Sequence, residues 1–139
     1  MPVRYEWRGE VDSGAVEALH AEAFGHEPVD HDWAAQLRDH SLGWVCAYDE
    51  DGDGGGGGAL VGFVNVAWDG ALHAFLIDTA VAERAQRRGI GRELVRVAEE
   101  QAAAAGCEWL HVDFDDHLRP FYVGACGFTP TDAGLVALR

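Results

Sequence analysis

The residues most able to do chemistry lie in one stretch, Val81-Ala82-Glu83-Arg84-Ala85-Gln86-Arg87-Arg88-Gly89-Ile90-Gly91-Arg92. A glycine-rich turn that opens a helix exposes backbone N–H groups at the positive end of the helix dipole. Glycine lets oxygen atoms approach main chain that a side chain would block, and flanking arginines add charge-assisted hydrogen bonds. Together these features predict a site for a phosphate or pyrophosphate. The two commonest phosphate loops do not match. A Walker loop needs lysine after its glycine, and the chain has no lysine. A dinucleotide fingerprint needs a third glycine or alanine where Leu94 stands, and repeated βαβ units for which 139 residues are too few.

Acid–base groups come next. Asp78 lies in an otherwise apolar run, three residues before Val81, and a carboxylate in such a place is a candidate general base. Alternation along the later apolar run puts Trp109, His111 and Asp113 on one face, so His111 and Asp113 are alternative bases. Metal chemistry is not expected. His20, His26, His31 and His40 fall on helices or loops without ligand spacing. Asp49, Asp51 and Asp53 with Gly54 resemble the start of a calcium loop, but the twelfth position is Leu60 rather than a bidentate Glu. The low-complexity stretch 49–58 therefore reads as a flexible hairpin connection.

The elements that position these groups follow from periodicity. Val3 to Trp7 opens a sheet. Ser13 caps a helix that Gly25 stops, and Asp30 caps a shorter one through Trp33, Leu37 and His40. Gly43–Tyr48, Leu60–Trp68 and Leu72–Val81 read as strands, the last two joined by an Asp69-Gly70 hairpin signal. The clearest helix runs from Gly89 to Ala105, with Ile90, Leu94, Val97, Ala98, Ala102 and Ala105 on one face. Cys107–Phe114 reads as another strand, Asp115 or Asp116 caps a short helix through Ala125, and Phe128 with Leu135–Leu138 forms a last hairpin. The expectation is one α+β domain over residues 1–139, with a mixed, mostly antiparallel sheet of about six to seven strands flanked by about four helices.

Two motifs in this frame resemble a known family. Gln86-Arg87-Arg88-Gly89-Ile90-Gly91 is similar to the Arg/Gln-x-x-Gly-x-Gly/Ala signature of the GNAT superfamily of acetyl-CoA-dependent N-acetyltransferases. Phe121-Tyr122 followed by Cys126-Gly127-Phe128 looks like that family's closing Phe-Tyr-x-x-x-Gly-Phe motif, and the match spans residues 60–130. The resemblance implies a GNAT-like fold and transfer of an acetyl group from acetyl-CoA to a primary amine, directly within a ternary complex and without a metal. It implies that Gln86, Arg87, Arg88, Gly89, Ile90, Gly91 and Arg92 hold the pyrophosphate of coenzyme A. It places Ile77, Thr79 and Val81 against the pantetheine arm through main-chain hydrogen bonds, beside two parallel strands that splay to admit the thioester. Tyr122 occupies the position that protonates the departing thiolate, and Asp78 a position where the family often carries an acid. Asp115 stands where the family often has Asn, and cannot donate the same hydrogen bond. The acceptor is a small-molecule or peptide amine, its pocket drawing on Phe24, His26, Glu27, Val29 and Trp33. The alternative from another class is a non-catalytic acyl-CoA-binding sensor; a small nucleotide-binding domain is a third reading. Cys126 reads as a core residue rather than a nucleophile.

Composition sets outer bounds. Ten basic residues, all arginine, oppose 24 acidic ones for a net charge of −14, which disfavours nucleic acid and anionic membrane as partners. Half of the arginines (Arg84, Arg87, Arg88, Arg92 and Arg96) nevertheless cluster around the glycine turn. No apolar run approaches the ~20 residues of a membrane span, and the first residues lack an apolar signal-peptide stretch. Three scattered cysteines suit a reducing cytoplasm. The lysine-free acidic composition fits a protein kept soluble in concentrated salt, and an exposed sheet edge leaves a homodimer open.

Overall fold

The computed structural model describes residues 2–50 and 58–139. The connection read between Asp49 and Gly58 falls mostly on residues 51–57, outside the described residues. Strand β1 (Val3–Trp7) pairs antiparallel with β2 (Ser41–Asp49), β2 with β3 (Ala59–Trp68), and β3 with β4 (His73–Val81). Strand β5 (Trp109–His111) is parallel to β4, so spatial order follows chain order from β1 to β5. Helices α1 (Ser13–Phe24) and α2 (Trp33–His40) separate β1 from β2, and α3 (Ile90–Ala104) bridges β4 and β5. Short 3₁₀ turns at Glu83–Ala85 and Asp116–Leu118 and a π-helical turn at Pro120–Ala125 complete the elements.

The sheet is covered on both faces, and β3 shows how. Gly62 faces α3, where an added Cβ would lie 2.9 Å from Ile90 Cγ2 and 3.1 Å from Leu94 Cδ1. The next residue, Phe63, faces the other way and meets Trp33 of α2 edge-on at 5.7 Å. Strands buried on both faces read as continuous apolar runs, and Val61, Phe63, Val64 and Val66 are all fully buried. Helix α3 contributes Ile90, Leu94, Val95, Ala98 and Ala102 to the core, and α1 and α2 contribute Val16, Leu19, Trp33 and Leu37.

Several boundaries differ from the sequence expectation. Asp12, not Ser13, caps α1 by accepting from the Ala15 N–H, which frees Ser13 Oγ to accept from the Ala34 N–H and tie α2 to α1. Asp32, not Asp30, caps α2 through the Ala35 N–H. The β3–β4 connection takes four residues, because Asp69 Oδ1 accepts from both the Ala71 and His73 N–H groups and holds a wider turn. Among the described residues the sheet has five strands rather than six to seven. Strand β5 is three residues long, and Leu135, Val136 and Leu138 stand 84%, 80% and 91% exposed instead of closing the sheet. Pro130, Asp132 and Gly134 break that tail into pieces too short to hold a ladder. Among the described residues no helix is long and apolar enough to cross a membrane.

Candidate active site

The site begins at an irregularity in β4. Asn65 of β3 pairs with Ile77 and Phe63 pairs with Ala80, so β3 uses one residue, Val64, where β4 uses two, Asp78 and Thr79. The extra residue makes a β-bulge, and Asp78 takes a left-handed φ of 61° there. On the other side of β4 the parallel ladder pairs His73, Ala74 and Phe75 with Trp109, Leu110 and His111. Beyond Phe75 the two parallel strands part, and among the described residues β4 from Ile77 to Val81 has no strand partner on that side. Its main-chain groups form an open edge inside the domain, with Ile77 41% exposed.

The chain end returns to this edge. Tyr122, on the π-helical turn, is buried beneath the rings of Phe114, Phe121 and Phe128 at 5.1, 4.8 and 6.0 Å. Burial pushes its phenol above the ordinary value of 10, while the nearby Thr79 side chain pulls the other way. The phenol is therefore neutral at physiological pH and sits against the bulge. The nearby Cys126 thiol is also raised by burial, against the pull of Arg92, which keeps it protonated and argues against a nucleophile.

Asp78 is held from the opposite face. His20 of α1 places Nε2 3.0 Å from Asp78 Oδ1, and its Nδ1 lies 2.7 Å from His26 Nε2. Beneath them Glu17 is a buried acid whose carboxyl is held below its usual range, chiefly by the Trp33 indole N–H at 2.9 Å and then by the Val29 N–H at 3.1 Å. Sequence reasoning did not find Glu17 or His20 as site residues. The signal was there: Glu17, His20 and Phe24 recur at helical spacing on one face of α1. Of the expected acceptor-pocket residues, Trp33 is buried and His26 joins the Asp78 group, while Phe24 and Val29 are 52% and 64% exposed. His111, an alternative base, pairs instead with His73 at 2.8 Å and stacks on Phe75. Asp113 is exposed, and its charge is felt at Tyr122.

The glycine turn follows directly from the open edge. Gly89 is the N-cap of α3 at φ 77°, ψ 10°, offers no side-chain cap, and receives the first helical bond from the Glu93 N–H at 3.1 Å. The N–H groups of Ile90, Gly91 and Arg92 precede that bond and so have no partner within the helix. Gly91 has Phe121 Cζ 3.2 Å from where a Cβ would stand, so the turn packs on the ring beside Tyr122. Arg88 pairs with Asp49 at 3.1 Å, and Arg96 is bound along α3 by Glu93 and Glu100. That leaves Arg84, Arg87 and Arg92 as exposed cations without an ion pair among the described residues. Among the described residues no group of three or more His, Cys, Asp or Glu could hold a metal ion.

An α3 N-terminus with open N–H groups follows the open β4 edge along the chain, and the turn that carries the buried Tyr122 packs on it through Phe121. Residues 6–128 match the sequence model of the acetyltransferase (GNAT) family. The chain belongs to the GNAT acetyltransferase family. No curated protein matches it by sequence. Among solved structures, it is similar to a probable acetyltransferase of unknown function from meticillin-resistant Staphylococcus aureus, with 22% identity over 99% of both chains and a TM-score of 0.76. It is also similar to glucosamine-6-phosphate N-acetyltransferase from Arabidopsis thaliana, with 15% identity over 96% of this chain and 97% of that one, TM-score 0.71. An aminoglycoside N-acetyltransferase in complex with CoA is 16% identical over 100% of this chain and 97% of its own, TM-score 0.70. At these identities the likeness to the solved structures is one of fold, and the GNAT family model supplies the family.

Proposed function

We propose that this GNAT protein moves the acetyl group of acetyl-CoA to the primary amine of a small molecule or peptide, directly within a ternary complex. The observation that carries this is the buried Tyr122, a phenol kept neutral by burial, on the turn that packs through Phe121 against Gly91 at the start of α3. The surroundings suit coenzyme A. The N–H groups at the start of α3 and the exposed Arg87 and Arg92 suit its pyrophosphate, with Gln86, Arg88, Gly89, Ile90 and Gly91 forming the turn around it. Main chain at Ile77, Thr79 and Val81 suits the amides of the pantetheine arm. Two solved relatives by fold act on aminoglycosides or on glucosamine 6-phosphate, both amines on sugars, which fits an amine acceptor here.

Tyr122 then supplies the proton to the departing thiolate, and Asp78 takes a proton from the amine. The left-handed turn at Asp78 aims its carboxylate out of the strand toward α1, at the place where the two parallel strands part. Three free cysteines among the described residues accord with a reducing, cytoplasmic setting. The test is a calorimetric titration with acetyl-CoA followed by thiol release over a panel of amines. Micromolar binding, about −8 kcal/mol, with amine-dependent thiol release is the expected result. Binding without turnover on any amine points to a sensor, and absence of binding overturns the reading.

A further inference from the structure

Three close polar contacts run in series away from the β4 bulge. His20 Nε2 is 3.0 Å from Asp78 Oδ1, His20 Nδ1 is 2.7 Å from His26 Nε2, and His26 Nδ1 is 2.8 Å from the Glu27 carbonyl oxygen. Each contact needs one proton between its two heavy atoms. A carboxylate and a carbonyl only accept, and a neutral imidazole carries a single N–H. Two neutral rings thus supply two protons for three contacts. If His26 Nδ1–H bonds the carbonyl and His20 Nδ1–H bonds His26, then His20 Nε2 faces Asp78 lone pair to lone pair. Any other choice of tautomers moves the unfilled contact along the chain without removing it. All three contacts close only when the group holds one proton more than two neutral imidazoles and a carboxylate.

We propose that Asp78, His20 and His26 are a proton relay that stores this extra proton at rest and, once emptied, is the base for the acceptor amine. The inference rests on the acetyltransferase reading above and assigns roles to two residues beyond it. The charged groups around the relay favour the filled state. Asp78 faces His20 from β4, and the buried Glu17 of α1 lies 3.9 Å from His26 Nδ1, where two N–H donors keep it ionised. The rings of Phe24 on α1 and Trp33 on α2, at 4.5 and 5.4 Å from His20, carry no charge. Among the described residues no arginine forms an ion pair with a member of the relay.

The proton balance of the reaction calls for such a group. An ammonium acceptor and an acetyl thioester give an amide, a thiol and one proton. The N–C bond forms, the C–S bond breaks, and one of the two protons lost by nitrogen ends on sulfur while the other must leave. The emptied relay, with both rings neutral and Asp78 ionised, accepts that proton at the carboxylate and passes it to His20 Nε2, which closes the third contact. His26, 38% exposed at its side chain, returns a proton to water and empties the relay again.

The proton count is read directly by 15N NMR of the histidine rings in the resting protein, with or without any activity. The expected result near neutral pH is three ring protons on His20 and His26 together. Asp78→Asn should lower that count to two, because the carboxamide N–H donates to His20 Nε2 and closes the chain unaided. In turnover, His20→Gln should cut kcat at least tenfold and abolish the rising limb of its pH profile, with KM for acetyl-CoA unchanged. His26→Gln should shift that limb. Two ring protons in the wild type, or His20→Gln with the wild-type kcat and pH profile, would overturn the relay. If the wild type acetylates no amine, the acetyltransferase reading fails, while the proton count still decides whether the relay is filled.

Discussion

Tyr122→Phe separates what the phenol does for catalysis from what it does for the fold. The substitution removes one oxygen and leaves the ring among Phe114, Phe121 and Phe128. Its structural cost is at most one polar contact, that with Thr79, or no more than about 0.5–1.5 kcal/mol. A positioned general acid contributes about 100- to 10,000-fold, equivalent to roughly 2.7–5.4 kcal/mol of barrier. The two effects differ enough in size to be told apart. Thiol release should slow by at least about 100-fold, while calorimetry returns the wild-type affinity for acetyl-CoA and urea unfolding shows only the small loss. The pH profile gives a second check. Because burial raises the phenol above 10, the acid form persists through the working range, and the wild-type rate should not decline below pH 10 from loss of this proton. A variant with full activity, or a wild-type decline below pH 10 that the substitution removes, refutes the argument.

Other outcomes follow from the packing and the charge. Gly62→Val drives a side chain into Ile90 and Leu94 of α3 and should lower unfolding stability by about 1–3 kcal/mol by urea denaturation, or more if α3 cannot shift. Glu17 is held below its ordinary value of 4.5, so the stability it contributes is full above that pH and disappears as pH falls through the lower, folded-state value. Unfolding melts from pH 6 downward should show this acid loss in the wild type and a flatter profile in Glu17→Gln. With a net charge of −14, self-repulsion is screened over about 3 Å in molar salt instead of about 10 Å at 0.1 M. The melting temperature should therefore rise with salt, and equal melts in dilute and molar salt would remove the salt-adapted reading of the composition.

What could be read from the sequence was local. The glycine turn, the arginines around it and the amphipathic face of α3 are set by residues adjacent or one helical turn apart, and they appear in the structure as spaced. The existence of β2, β3 and β4 was equally plain from their apolar runs. The extent of pairing was not. Cys107 to Phe114 alternates like a strand throughout, yet only Trp109–His111 pairs, because the bulge at Asp78 turns β4 away from its parallel neighbour. The tail fails for a related reason: an apolar quartet says nothing about whether a partner edge lies within reach. The grouping of Asp78 with His20 was hidden by distance along the chain. It depends on a left-handed residue inside a strand, which no propensity for aspartate in a sheet announces.

The open length of β4 has a consequence for how this protein tolerates change. Apart from the Asp78 carboxylate, β4 on the proposed reading would meet coenzyme A through its main chain, and every residue but proline carries the same pair. Recognition of that kind is blind to the alphabet. A substitution scan reading only binding should pass over Ile77 and Val81 almost without signal, though both border the site. Proline at Val81 is the revealing change, since it deletes a donor. Sequence can therefore drift along this strand while the shape of the slot is inherited intact, and the side chains that remain under constraint are those that hold β4 and β5 apart.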